Sequence, residues 1–168
     1  MDRGAREEKS GVRPMPEVAR RIVIDAPPER VWALLSDLEG VAAWAPNIAD
    51  CRLLSSRRRG VGATRRVRHV TGIVLDEEIV TWDESRGFTY EIRGRLGPLR
   101  RVRESWTVAS APTSCLASAR IQYDVRFGIL GRVVDRLLVR LLLRRQMSLG
   151  LWGLKHHAES RSVKHDAP

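Results

Sequence analysis

Glu104 lies in the stretch Arg101-Val102-Arg103-Glu104-Ser105-Trp106-Thr107-Val108. Val102, Trp106 and Val108 share its parity, while Arg101, Arg103, Ser105 and Thr107 hold the other. A carboxyl group on the apolar side of a strand loses hydration, so its pKa rises and it can act as a general acid or base near neutral pH. The plainer readings are an inward glutamate paired with an arginine, or a strand twist that returns Glu104 to water. A second acidic pair, Glu77-Glu78, must place one carboxylate on each face of its strand. Ile73, Leu75 and Ile79 support one parity there, and Val74, Val80 and Trp82 the other. A bulge or a two-faced strand is therefore expected, and which glutamate points inward stays open.

Other chemistries lack their residues. There is no Gly-x-Ser-x-Gly elbow and no glycine-rich phosphate loop. His69, His156, His157 and His165 do not have zinc-ligand spacing, so no metal and no cofactor is expected. His156-His157 reads as a surface or capping feature near a helix end. Cys51 and Cys115 are expected to be free thiols.

The formal net charge is +10, carried almost entirely by arginine. Such a surplus favours anionic partners. Arg132, Arg136, Arg140 and Arg144 recur every fourth residue, as on one side of a helix. They form either a solvated face or a basic stripe that meets anionic lipid headgroups. Nucleic acid is disfavoured, because a single-strand platform needs exposed aromatics among its basic residues. Here Trp32, Tyr90, Trp106 and Tyr123 fall on faces expected to be interior.

The elements that position these residues follow from periodicity. Residues 1–16 are polar and aperiodic and are read as a disordered leader, and residues 160–168 as a disordered tail. One domain is expected over 17–159, a length and composition able to form a single core. Val18–Asp25 reads as a strand. Pro27-Pro28-Glu29 opens a helix with Val31, Leu34, Leu35 and Leu38 on one face, and a short second helix, Val41–Trp44, stops before Pro46. From Ile48 to Phe127 turn signals separate six strands in an antiparallel meander. In the last of these, Ala117, Ala119, Ile121, Tyr123, Val125 and Phe127 alternate with Ser118, Arg120, Gln122, Asp124 and Arg126. A one-sided sheet needs a cover, and the large helix expected from about Leu130 to Glu159 is the available one. Its apolar residues include Leu137, Leu138, Leu141, Leu142, Leu149 and Trp152; Gly150 and Gly153 are expected to bend it. Asp135, Arg136, Arg140, Arg144 and Arg145 interrupt its apolar run, which rules it out as a membrane span. With no signal-peptide core at the N-terminus, a cytoplasmic protein is expected, with peripheral membrane contact left open.

The segment Ala26-Pro27-Pro28-Glu29-Arg30-Val31-Trp32-Ala33-Leu34-Leu35-Ser36-Asp37, followed by Trp44-Ala45-Pro46, resembles the opening of the polyketide cyclase/dehydrase and lipid-transport branch of the START-like (SRPBCC) superfamily. The resemblance covers about Val18 to Glu159. It implies an α+β helix-grip fold: a seven-stranded antiparallel sheet wrapped around the long C-terminal helix, with two short helices after the first strand and an apolar cavity inside. By parity the cavity wall is expected to include Tyr90, Ile92, Trp106, Tyr123, Val125, Phe127, Leu137 and Leu141. Aromatase/cyclases of the superfamily also carry an arginine on a strand of the meander. The matching stretch in this chain, Asp76–Trp82, has none.

The leading expectation is a binding or carrier protein for a hydrophobic small molecule, such as a lipid, isoprenoid or polyketide-like compound. A cyclase/dehydrase-type enzyme with an inward glutamate as acid or base is the first rival. A membrane-surface or partner-binding module is the second. The ligand's identity and the oligomeric state are not legible in the sequence.

Overall fold

The computed structural model describes residues 15–94, 99–125 and 138–160. Seven strands, β1 (Glu17–Ile24), β2 (Ile48–Leu53), β3 (Thr64–His69), β4 (Val74–Asp83), β5 (Gly87–Arg93), β6 (Leu99–Ser110) and β7 (Cys115–Val125), form one antiparallel sheet. The order across it is β1-β7-β6-β5-β4-β3-β2. Strands β2 to β7 are thus neighbours in space in chain order, as hairpin connections require, and β1 closes the far side against β7. Helix α1 (Pro28–Ser36) and a 3-10 turn (Gly40–Ala43) connect β1 to β2. Helix α2 (Arg140–Ser160) covers the sheet.

Side-chain parity accounts for the layers. On β7, Ala117, Ala119, Ile121 and Tyr123 are buried, whereas Arg120 and Asp124 are exposed. On β6, Val102, Trp106 and Val108 are buried and Arg101, Arg103 and Thr107 are exposed. Both strands keep the expected register, and Tyr123 is fully enclosed. Proline at the first position of α1 and Glu29 in its first turn begin a helix whose Val31, Trp32 and Leu35 are buried.

Helix α2 corrects the expected wall. Leu138, Leu141, Leu142, Leu149 and Trp152 are exposed, with Leu141 at 63 %. The buried side holds Met147, Gly150, Leu151, Gly153, Leu154 and Ala158. Glycine decides which side faces in. A Cβ on Gly153 would stand 2.0 Å from the Trp44 carbonyl oxygen, and one on Gly150 would stand 3.2 Å from the tip of the Trp106 indole. Only a face of small residues lets the helix lie this close, so these glycines serve close packing. The C-terminal half of α2 is tied to the end of β1: Lys155 Nζ donates to the Val23 carbonyl at 2.9 Å, and the Asp25 amide donates to Glu159 at 2.8 Å.

Candidate ligand cavity

Between the concave face of the sheet and α2 lies a cavity of about 180 Å³. Strand β3 contributes Arg65, Val67 and His69, and β5 contributes Phe88, Tyr90 and Ile92. These alternate residues point the same way because the side-chain period of a strand is two. On β4, Leu75 and Glu77 line the cavity. The register then shifts between Ile79 and Thr81, so Val80 is a bulge residue and Trp82, of opposite parity, comes to the same face as Ile79. The two conflicting parities in the sequence are thus both real, on either side of one bulge. Glu77 is the inward glutamate, 4 % exposed, while Glu78 pairs with Arg93 on the outer face.

From β6 come Val102, Glu104 and Trp106; from α2, Leu143, Gln146 and Met147. Arg65, Glu77, Tyr90, Trp106 and Met147 are buried, whereas His69, Leu75, Ile92, Leu99, Leu143 and Gln146 are half-buried. The cavity therefore has a closed floor and opens beside this second set.

The floor is polar. Arg65 Nε donates to Glu77 Oε2 at 2.7 Å, and its Nη1 donates to the Leu38 carbonyl at 2.8 Å. Its guanidinium lies 5.4 Å from the Tyr90 ring centroid. Burial opposes the charge on Arg65, but Glu77 more than restores it and holds the guanidinium protonated. Among the described residues Glu104 forms no such ion pair, and the Arg65 charge favours its carboxylate only weakly. Burial pushes its carboxyl up to about 7, against the opposing effect of hydrogen bonds from Tyr90 and Trp106 and with reinforcement from the Glu77 charge. Glu104 keeps some accessible surface, and that surface borders the cavity. Burial, with Glu104 and Glu77 alongside, raises the Tyr90 phenol well above its usual value. Burial likewise lowers His69 and pushes the Cys51 thiol up to about 11, leaving Cys51 a neutral donor to the Leu38 carbonyl at 3.3 Å. Among the described residues no cluster of three or more His, Cys, Asp or Glu side chains is placed to hold a metal.

The geometry brings together Glu104, Tyr90, Ile92 and Trp106 from the sequence-based set. Tyr123 is buried but lies off the cavity wall. Leu141 points to solvent, because α2 is apolar on both sides and turns its small-residue side inward. Leu143 and Met147 take the place assigned to it. The Val125 side chain, Phe127, Leu137, Arg132 and Arg136 lie outside the described residues. Of the remaining basic residues, Arg144 is exposed and Arg140 is half-buried. Sequence reasoning missed Arg65 altogether. It sits on β3 in the run Thr64-Arg65-Arg66-Val67-Arg68-His69, where arginines occupy both faces and hide the inward one. Its parity with Val67 was the available signal. An arginine thus does reach the cavity, from β3 and not from the stretch Asp76–Trp82.

Residues 15–159 match the family model described as polyketide cyclase / dehydrase and lipid transport. No curated protein matches the sequence. Among solved structures, the Zhui aromatase/cyclase from Streptomyces sp. R1128 superposes with a TM-score of 0.75 at 18 % identity, covering 88 % of this chain and 96 % of that one. A protein from Thermus thermophilus gives 0.70 at 25 % identity, covering 88 % and 99 %. A START superfamily protein from Mycobacterium smegmatis gives 0.69 at 16 % identity, covering 86 % and 97 %. The family match over most of the chain agrees with the helix-grip architecture of these neighbours, and the chain belongs to the polyketide cyclase/dehydrase and lipid-transport family of START-like proteins.

Proposed function

We propose that this protein binds a small hydrophobic molecule in the cavity between the sheet and α2. The observation that carries the reading is a largely apolar chamber, open at one end and closed by a short set of polar groups at the other. An engineered cavity of roughly 150 Å³ accommodates benzene, so this space suits a body of one or two rings or a short chain. Arg65 and Glu77 are engaged with each other and Tyr90 donates to Glu104, so the partly accessible Glu104 carboxyl is the floor group best placed to meet the polar end of a ligand. Native mass spectrometry of the protein purified from its own host tests this directly. A co-purified small molecule that is lost when a charge is placed on the wall supports the reading; an empty protein that also refuses apolar probes removes it.

A second reading rests on Glu104 itself. With its carboxyl at about 7, Glu104 is half protonated near neutral pH, the state a general acid–base group of a cyclase or dehydrase requires. An enzyme of that kind would lose its turnover in Glu104→Gln while still binding substrate, whereas in a carrier the change would alter ligand affinity at most.

The outer face of α2 supports contact with an anionic membrane surface, where a carrier working in the cytoplasm would load and unload. Leu138, Leu141 and Leu142 are exposed beside Arg144 and Arg145. An apolar strip flanked by cations is the pattern of an interfacial helix. Among the described residues no helix is long and apolar enough to cross a membrane.

A further inference from the structure

Glu104 stands on β6 directly across from Tyr90 on β5 and Ile121 on β7. It shares the inward parity of Val102 and Trp106, lines the cavity and is half-buried, so its remaining surface is cavity surface. The polar groups that reach it are donors: the Tyr90 hydroxyl and the Trp106 indole both give hydrogen bonds to the carboxyl. An indole N–H can only donate, so this wall is arranged around an acceptor, the ionised carboxylate. Among the described residues no cation pairs with that carboxylate. Arg65 lines the same cavity, but its guanidinium is held by Glu77 and by the Leu38 carbonyl. Burial holds His69 towards its neutral form. Strand β7 and helix α2 contribute Ile121, Leu143, Gln146 and Met147 to the wall, none of them ionisable. The Arg65–Glu77 pair is neutral as a unit, so an ionised Glu104 gives the cavity one uncompensated negative charge.

We propose that the cavity takes a hydrophobic amine, whose ammonium group is the counter-ion that Glu104 lacks. The inference rests on the cavity being a ligand site and specifies what enters it. A carboxylate offers about four lone-pair sites, so the bonds from Tyr90 and Trp106 leave room for an ammonium N–H. The fold has already stripped water from Glu104, so binding costs only the hydration of the amine. The upward pull on the carboxyl is what an uncompensated charge in this position experiences, and a bound ammonium reverses it. Other head groups fit less well. An alcohol donates to the carboxylate but leaves its charge unmatched. A ketone requires Glu104 to keep its proton and turn it towards the ligand. A carboxylate meets the like charges of Glu104 and Glu77 and finds Arg65 already engaged. The rings of Phe88, Tyr90 and Trp106 border the same space, and aromatic faces attract cations. The apolar body of the amine has Ile92 and Leu143 beside it towards the mouth.

The test compares 2-(aminomethyl)naphthalene with 2-naphthylmethanol, 2-acetylnaphthalene and 2-naphthoate, which share the ring system and differ in the head group. Kd is read by NMR titration of the full-length protein labelled with 15N, at about pH 5.5 and about pH 8, on either side of the Glu104 titration. At the higher pH the amine should bind about tenfold more tightly than the alcohol, the scale of one charge-assisted hydrogen bond, and 2-naphthoate should bind most weakly. At the lower pH Glu104 holds its proton, and the preference for the amine should fall to within about twofold. Glu104→Gln should show that small preference at both pH values while still binding the alcohol. An alcohol or ketone that matches the amine at the higher pH overturns the amine site and leaves the cavity as a ligand site. A preference and pH dependence that persist in Glu104→Gln also overturn it, because they would then arise from His69 or another group. Failure of all four compounds to bind overturns the cavity reading and the inference with it. The affinities and their pH dependence are measured on wild type, so the proposal is decided even if the variant folds poorly.

Discussion

Glu104→Gln should make the protein more stable at neutral pH, and the size of the effect follows from the cavity floor. The glutamate is raised from an ordinary value of 4.5 to about 7, chiefly because burial disfavours its charge. A group whose folded-state pKa lies above its unfolded value contributes full stability below the unfolded value and loses it as pH rises through the folded one. The folded protein therefore weakens between pH 4.5 and about 7 as Glu104 is forced to ionise in the cavity. The gap corresponds to about 3 kcal/mol in a dry chamber, and to less in proportion to the water admitted at the mouth. Glutamine keeps the shape and one acceptor oxygen for Tyr90 or Trp106, but has no ionisable proton. Urea unfolding of both proteins from about pH 4.5 to about pH 8, followed by tryptophan fluorescence, should show a difference near zero at the acid end. It should grow to about 3 kcal/mol in favour of Glu104→Gln above about pH 7. Burial lowers the His69 pKa, but His69 is common to both proteins and its contribution cancels in the difference. Parallel stability curves would refute the reasoning, since they would mean that Glu104 is solvated or compensated by a cation.

A charge on the wall should abolish binding of a neutral fluorescent apolar probe in Leu143→Glu, because an unpaired carboxylate then faces the cavity. Leu141→Glu, on the exposed side of the same helix, should leave that binding unchanged in the same titration. Glu77→Gln should cost about 3–5 kcal/mol in chemical denaturation by leaving the Arg65 guanidinium buried without its carboxylate, and the paired change Arg65→Met/Glu77→Leu should recover most of the loss. Gly153→Ala should destabilise by about 1–3 kcal/mol despite a helix-propensity gain of about 1 kcal/mol, because the new methyl meets the Trp44 carbonyl; in Gly150→Ala the two effects should nearly cancel in thermal melts. Sedimentation with anionic liposomes should exceed that with neutral ones, fall with added salt, and fall further in Leu141→Glu/Leu142→Glu.

The strand count, the antiparallel order, the inward faces of β6 and β7 and the covering helix were all legible in the sequence. A one-sided strand has a strict period of two, and a turn residue marks each reversal. Local pattern therefore suffices wherever one face is purely apolar, as at Ala117–Tyr123. The same rule put Glu104 on the parity of Val102, Trp106 and Val108 and left open whether a twist returns it to water. Three decisions belonged to tertiary structure alone. On β4 a single bulge at Val80 swaps the faces, and only cross-strand pairing with β5 sets where the extra residue falls. On β3 arginines occupy both faces, so Arg65 becomes the buried one only because Glu77 stands across from it and the Leu38 carbonyl receives it. On α2 leucines occur around the helix and hydrophobicity has no clear direction; close contact with Trp44 and Trp106 selects the glycine side to face inward and turns Leu141 to solvent. In each case periodicity is silent because both faces carry the same chemistry, and the choice falls to partners distant in the chain.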